Sequence, residues 1–299
     1  GFYEPQVVMA IGDFDGVHMG HQNVIGHAVK IGKSHGIPAA VMTFDPHPRE
    51  VLGEPGYSRY LAPLPKKLEL FKELGVDYTF VVRFDSVFSR ISPEQFVENV
   101  LVKLRVHTVV VGFDFTFGFK AKGTVETLKE LCRGRMDVDV IKPYKIHGDK
   151  VSSTLIREQL HFGKLSNVRQ FTGRDYFITG KVVHGDGRGR EIGFPTANIE
   201  LSERYVLPGN GVYAVRFLHD GKAYQGVMNL GTRPTFKSDN PEPSLEVHVL
   251  DFAGDLYGKD VRIEFLEFLR PEQKFPNIES LVGQIHEDVE QARAIFRHS

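Results

Sequence analysis

Two histidines three residues apart, His18 and His21, close the run Gly12-Asp13-Phe14-Asp15-Gly16-Val17-His18-Met19-Gly20-His21. The run sits where a first β-type segment, Gln6 to Ile11, gives way to an amphipathic helical pattern from about His21 to Lys33. A helix start offers free N–H groups and the positive end of its dipole, so an anion, phosphate above all, is the natural ligand. The histidines flank Gly20, which lets the backbone approach that ligand, and two imidazoles at this spacing can donate to one phosphate group. A metal site is the rival reading, but no third ligand is recognisable and the usual zinc spacings are missing. Gly26 to Ser34 imitates a phosphate loop with five residues between its glycines instead of four, inside a helical pattern.

A second group lies in the other half of the chain. Gly185, Gly187, Gly189 and Gly193 fall within nine residues directly after a β-type run, a composition that can lay backbone N–H groups against phosphates. The loop runs into Pro195-Thr196-Ala197-Asn198, where Thr196 and Asn198, two apart, share a face if extended. In Ser244 to Phe252, alternation places Glu246 and His248 opposite Leu245, Val247 and Val249.

The elements that must position these residues differ between the halves. The first alternates strands and helices: strands at Ala39–Phe44, Tyr78–Val82, Thr108–Val111 and Val138–Ile141, with helices around Lys66–Leu74, from Pro93, near Val125–Leu131 and over Ser152–Leu165. Ser92-Pro93-Glu94-Gln95 has the signature of a capping box. This rhythm predicts a doubly wound parallel α/β sheet, and Asp114, just past the end of a strand, stands where such sheets bind ligands. After Thr172-Gly173-Arg174, β-type runs follow with no long helix between them, predicting an antiparallel β-barrel or sandwich. A terminal helix carries Ile278, Leu281, Val282, Ile285, Val289, Ala292 and Ile295 on one stripe. The expected domains are residues 1–172 and 173–299.

With 299 residues, 41% hydrophobic and 25% charged, the chain has core material for two domains and is neither disordered nor fibrous. The net charge is -1, and neither half is strongly basic, which argues against a nucleic-acid partner held through many phosphates. The single cysteine, Cys132, excludes an internal disulfide and reads as a reduced core residue. No run reaches the roughly 18 apolar residues of a membrane span, and the opening residues show no signal pattern, so a cytoplasmic protein without a membrane partner is expected.

The HxGH element, followed in order by Thr43-Phe44-Asp45-Pro46-His47-Pro48, Gly112 to Gly118 with Gly123, and Val151-Ser152-Ser153-Thr154-Leu155-Ile156-Arg157, resembles the nucleotidylyltransferase superfamily and, in detail, the bacterial bifunctional riboflavin kinase/FMN adenylyltransferases. The Pro195–Asn198 block, Ser244–Phe252 with Asp255–Gly258, Asn229–Phe236 and Arg270–Phe275 resemble the kinase half of the same family. The resemblance implies a Rossmann-like adenylyltransferase domain, then a riboflavin kinase barrel. Riboflavin is phosphorylated by ATP to FMN, and FMN attacks the α-phosphorus of a second ATP to give FAD and pyrophosphate. His18, His21 and Arg157 would stabilise charge on the triphosphate as donors rather than nucleophiles. Gly12, Phe14, Asp15, Gly20, Asp114, Ser153 and Thr154 would bind ATP or phosphate, the last two with hydroxyls at a helix start.

In the kinase half the resemblance makes Glu246 the general base on the riboflavin 5′-hydroxyl, Thr196 and Asn198 the Mg²⁺ and phosphate contacts, and Gly185, Gly187 and Gly193 a phosphate loop. Asn229 and Arg270 would contact flavin, from flaps at Asn229–Phe236 and Arg270–Phe275. Mg²⁺ suits a hydroxyl and an amide because it takes few protein oxygens and leans on substrate phosphates. Three residues depart from the pattern: Asp13 where Asn is common, Val151 where Ile is common, and Lys164 where an acidic residue often follows Gly163. Asp13 and Lys164 motivate an alternative in which only the kinase half works; a flavin-binding regulator without turnover, RNA-directed or not, is another. The expected partners are riboflavin, FMN and ATP, with a monomer or weak homo-oligomer.

Overall fold

The computed structural model describes residues 6–233 and 242–298, so Pro234, Thr235 and Phe236 of the expected flap lie outside the described residues. Contacts divide the chain into two compact units, residues 1–153 and 154–299.

The first unit is a five-stranded parallel sheet in the order β3-β2-β1-β4-β5. Its strands are β1 (Val7–Ile11), β2 (Ala39–Asp45), β3 (Tyr78–Arg83), β4 (Val106–Gly112) and β5 (Asp137–Ile141). The connecting helices are α1 (Met19–His35), α2 (Pro48–Val51), α3 (Leu64–Glu73), α4 (Pro93–Phe96), which runs into a π-helical turn at Val97–Leu101, and α5 (Val125–Cys132). A small hairpin, β6 (Lys145–Ile146) and β7 (Asp149–Lys150), ends the unit. β1 lies between β2 and β4 and is buried along its whole length, which its unbroken run Val-Val-Met-Ala-Ile allows. The winding reverses at β1, so the carboxyl ends of β1 and β4 form the crevice in which open α/β sheets hold ligands. The predicted capping box forms, with Ser92 and Gln95 exchanging backbone N–H bonds.

Cys132 belongs to the core beneath β1 and β4. Burial pushes its thiol up to about 11, a shift that the nearby Arg135 guanidinium partly offsets. The native thiol is therefore expected to resist iodoacetamide at about pH 8 and to react rapidly once the chain is unfolded in denaturant, which mass spectrometry of the alkylated chain would check.

The second unit opens with α6 (Ser153–His161), whose first residue closes the first unit, and α7 (Leu165–Thr172). The sequence pattern predicts one helix over 152–165; the structure breaks it because Gly163 adopts φ +68°, a left-handed conformation that ends a helix and that a glycine takes without strain. Six antiparallel strands then close a barrel in the order β10-β11-β12-β9-β8-β13. They are β8 (Tyr176–Val183), β9 (Ala197–Leu201), β10 (Gly211–His219), β11 (Lys222–Arg233), β12 (Glu242–Val249) and β13 (Asp260–Arg270), with a short helix α8 (Arg188–Glu191) inside the glycine-rich loop. The terminal helix α9 (Ile278–Arg297) lays Val289, Ala292, Ile295 and Phe296 on Val212, Ala214 and Val227 of the barrel wall. The apolar stripe is not buried throughout, since Ile278 at its start is exposed.

Candidate active sites

At the carboxyl end of β1 the chain makes a turn that few sequences tolerate. Phe14 has φ +54° and Val17 φ +42°, with Gly16 at +94° between them. A left-handed non-glycine residue costs on the order of 1–3 kcal/mol, so the surrounding contacts must hold this backbone in place. Phe14 is buried and its ring meets the edge of His21 at 5.3 Å and of Phe71 on α3 at 5.9 Å. Asp15 is 4% exposed, and its Oδ1 accepts the N–H of Ala62 at 2.9 Å. Its carbonyl accepts the Ser153 hydroxyl at 2.8 Å, a bond within the first unit. Phe14, Asp15 and Ser153 thus have structural partners at the turn, in addition to the phosphate role that the motifs imply.

His18 is the N-cap of α1 and His21 its third residue, and each imidazole Nδ1 accepts the other's backbone N–H, at 3.2 and 3.3 Å. The rings stack with centroids 3.4 Å apart. Because Nδ1 is the acceptor in both, Nε2 carries the proton in both neutral rings, and the pair is a matched set of donors rather than of bases. Gly12 ends the strand under the Phe14 ring, and Gly20 sits beside the His18 ring. Asp114, exposed past β4, pairs with Lys150 of β7 at 3.3 Å, and the same ammonium lies 4.4 Å from the Phe113 ring centroid. Thr154, exposed, and Arg157, half-buried, lie in α6 and fall in the second unit.

Sequence reasoning passes over three residues behind this turn. His47 Nε2 donates to Asp13 Oδ2 at 2.6 Å while its Nδ1 accepts the Arg49 N–H at 3.1 Å, so Asp13 faces an imidazole N–H. Thr43 and Lys67 both donate to the Asp13 carbonyl. His47 belongs to a motif and could have been suspected; a lysine in an amphipathic helix gives no such signal.

On the barrel, strand register assembles the second site. Glu246 pairs directly with Asn229 on β11 and with Asn198 on β9, so three polar residues form one row across three strands. Their face is the outer one, since Leu245 and Val247, the neighbours of Glu246, are buried inside. Glu246 Oε1 accepts from Arg233 Nη2 at 2.9 Å, and Arg233 Nε donates to Ser244 Oγ at 3.1 Å. Arg233 is a site neighbour that the sequence did not single out.

The glycine-rich loop closes on this row. A Cβ at Gly185 would overlap the Asn198 amide, so only glycine lets the loop lie against that side chain. Gly187 caps α8, and Gly193 is an exposed turn residue. His248 Nδ1 donates to the Pro195 carbonyl at 3.1 Å, and the Phe194 ring stands edge-on to His248 and His286, which fixes the chain just before Thr196. Thr196 is exposed and Asn198 half-buried. Groups of three or more His, Cys, Asp or Glu able to hold a metal are absent among the described residues. The neutral oxygens of Thr196 and Asn198, with the side-chain-free Gly185 opposite, fit a hard cation that relies on substrate phosphates.

Arg270, expected to contact flavin, is tied to the terminal helix. Its Nε and Nη2 each donate to the Asp288 carboxylate at 2.9 Å, Asp288 is 2% exposed, and Gln284 adds a bond at 3.1 Å. Arg270 Nη1 also holds the Pro271 carbonyl at 3.2 Å, so the guanidinium joins the start of the 271–277 loop to α9. Asp288→Ala strands a largely buried guanidinium and is expected to lower unfolding stability by about 3–5 kcal/mol, read from denaturant melts of the full chain.

The sequence profile of FAD synthetase matches residues 3–155 and that of riboflavin kinase matches residues 172–296. A bifunctional riboflavin kinase/FMN adenylyltransferase from Listeria monocytogenes is 45% identical over 97% of this chain and 92% of its own length. Counterparts from Bacillus subtilis and Escherichia coli are 43% and 39% identical with the same coverage. Among solved structures, one described as a macrolide-efflux protein from Streptococcus pneumoniae superposes with a TM-score of 0.90 at 32% identity, over 97% of this chain and 95% of that one. Among the described residues no helix is long and apolar enough to cross a membrane.

Proposed function

Since the chain belongs to the family of bifunctional riboflavin kinase/FMN adenylyltransferases, we propose that its two sites make FAD in two steps, with Glu246 acting in the first and the His18–His21 pair in the second. The observation that carries this reading is the row Asn229–Glu246–Asn198, which sets a carboxylate beside an amide suited to a phosphate-bound cation.

In the first step the 5′-hydroxyl of riboflavin attacks the γ-phosphorus of ATP, its proton passes to Glu246, and ADP leaves. Thr196 and Asn198 would hold Mg²⁺, which when bound neutralises charge on the ATP phosphates. The backbone of the loop carrying Gly185, Gly187 and Gly193 lies against those phosphates, and Asn229 orients the flavin. Arg270 holds the start of the 271–277 loop to α9, and the motif assigns it to the flavin. In the second step a phosphate oxygen of FMN attacks the α-phosphorus of another ATP and pyrophosphate departs. The two Nε2–H groups donate to phosphate oxygens as charge redistributes, with no covalent enzyme intermediate and little proton transfer. Gly12 and Gly20, which let the Phe14 and His18 rings close on the backbone, are assigned by the motif to the nucleotide, and Asp114 lies at the same end of the sheet. The motif assigns Thr154 and Arg157 to the triphosphate. We assign both activities to the cytoplasm, with riboflavin, FMN and ATP as the ligands.

The test is chromatography of products from riboflavin with ATP and Mg²⁺, and separately from FMN with ATP and Mg²⁺. FAD from both mixtures supports both steps. FMN from the first and nothing from the second confines the chain to the kinase reaction, and no product from either returns it to the binding regulator.

A further inference from the structure

We propose that Lys67 is a positioning residue for adenylyl transfer, a strut that holds the left-handed turn delivering His18 and His21. The inference rests on the assignment of that reaction to the histidine pair. Lys67 lies on α3 and is 4% exposed, a rare place for an ammonium group. Its Nζ donates to the Asp13 carbonyl at 3.0 Å, the Thr43 hydroxyl at 2.9 Å and the Phe44 carbonyl at 3.3 Å. An ammonium has three N–H donors, and here three oxygens take them. All three are neutral, so the group serves as a three-way bridge between the exit of β1 and the end of β2, and not as half of an ion pair. Thr43 in turn donates to the same Asp13 carbonyl at 2.8 Å, so that one backbone oxygen is gripped twice.

One helical turn further along α3, Phe71 stands on the same face as Lys67 and meets Phe14, whose ring backs His21. Lys67 and Phe71 thus hold the two consecutive residues Asp13 and Phe14, at the point where the backbone enters its left-handed stretch. Asp13, one of the three departures from the family pattern, has its carboxylate turned to His47 and its carbonyl to Lys67. It is built into the support of the turn by both ends.

The test uses the full chain, whose riboflavin kinase activity is an internal control. Lys67→Met keeps the length and removes the three donors; kcat for FAD formation from supplied FMN is expected to fall roughly 10- to 100-fold with little change in either KM, the signature of misplaced donors rather than lost binding. FMN formation from riboflavin should stay at the wild-type rate. In Lys67→Ala, added propylammonium should restore part of the lost rate, whereas tetramethylammonium, which has no N–H, should not. A wild-type kcat in Lys67→Met, or equal effects of the two cations, overturns the proposal. Should Lys67→Met lose the melting transition of the first unit, Thr43→Val decides: it keeps the charge and removes one acceptor and one grip on Asp13, and is expected to lower kcat less but in the same direction, an unchanged kcat again overturning the strut. His21→Ala run alongside separates the two levels. If that variant makes FAD normally, the site assignment itself fails; if it does not and Lys67→Met does, only the strut fails.

Discussion

Glu246→Gln is expected to slow FMN formation by roughly 10²–10⁴-fold, the usual contribution of a positioned general base, while FAD formation from supplied FMN continues at the wild-type rate. Gln keeps an oxygen for the Arg233 guanidinium, which donates to Glu246 Oε1 at 2.9 Å, and keeps the volume of the side chain between Asn229 and Asn198. What it loses is the capacity to take a proton. The barrel interior is untouched, because Leu245 and Val247 point inward and Glu246 outward, so the variant should melt with the wild type. Initial rates of FMN release, with FAD formation from FMN as the parallel measurement, check the prediction. A kinase rate within threefold of wild type would remove Glu246 from the chemistry and leave Arg233 and Glu246 as a surface pair of small energetic weight.

His21→Ala is expected to do the reverse: FAD formation falls by roughly 10²–10³-fold, the typical loss on removing one donor to a charged transition state, and FMN accumulates from riboflavin. Part of the effect reaches beyond the lost Nε2–H. His21 Nδ1 accepts the His18 N–H and its ring stacks on that of His18, so the substitution also loosens half of the cap of α1, at about 0.5–2 kcal/mol. His21→Asn divides the two contributions, because an amide oxygen can still accept the His18 N–H while its NH₂ sits short of the ring's far nitrogen. Recovery of thermal stability in His21→Asn without recovery of FAD formation assigns the loss to the phosphate contact. Recovery of both assigns it to the cap.

Much of both candidate sites was legible along the chain because their residues fall in local runs. The histidine pair and its glycine fall within four residues, and Thr196 and Asn198 within three, so short-range spacing places them on one turn or one face whatever the rest of the molecule does. Glu246 was separable from its apolar neighbours by strand alternation, and the barrel honours that alternation. The mutual cap of His18 and His21 was less legible, since histidine is not among the residues preferred at an N-cap. Lys67 was illegible for a different reason. In sequence it is a charge on an amphipathic helix, which normally means solvent, and its burial follows only from where α3 meets the ends of β1 and β2.

The same contrast holds for Arg270 and Gly163. Arg270 lies in a motif that resembles a flavin flap, and nothing along the chain signals that α9 brings Asp288 to it from 18 residues away. A helix pattern reads through Gly163 until the backbone turns left-handed there. The sequence by itself determined the two kinds of architecture and the order along the chain of the candidate residues for phosphate, a hard cation and a proton, because hydrophobic period and motif spacing are properties of neighbours. Only the tertiary structure decided which charges are buried in the fold and which stay exposed, because burial and partner choice depend on side chains brought together from distant segments, where an unpaired charge is too costly to leave alone.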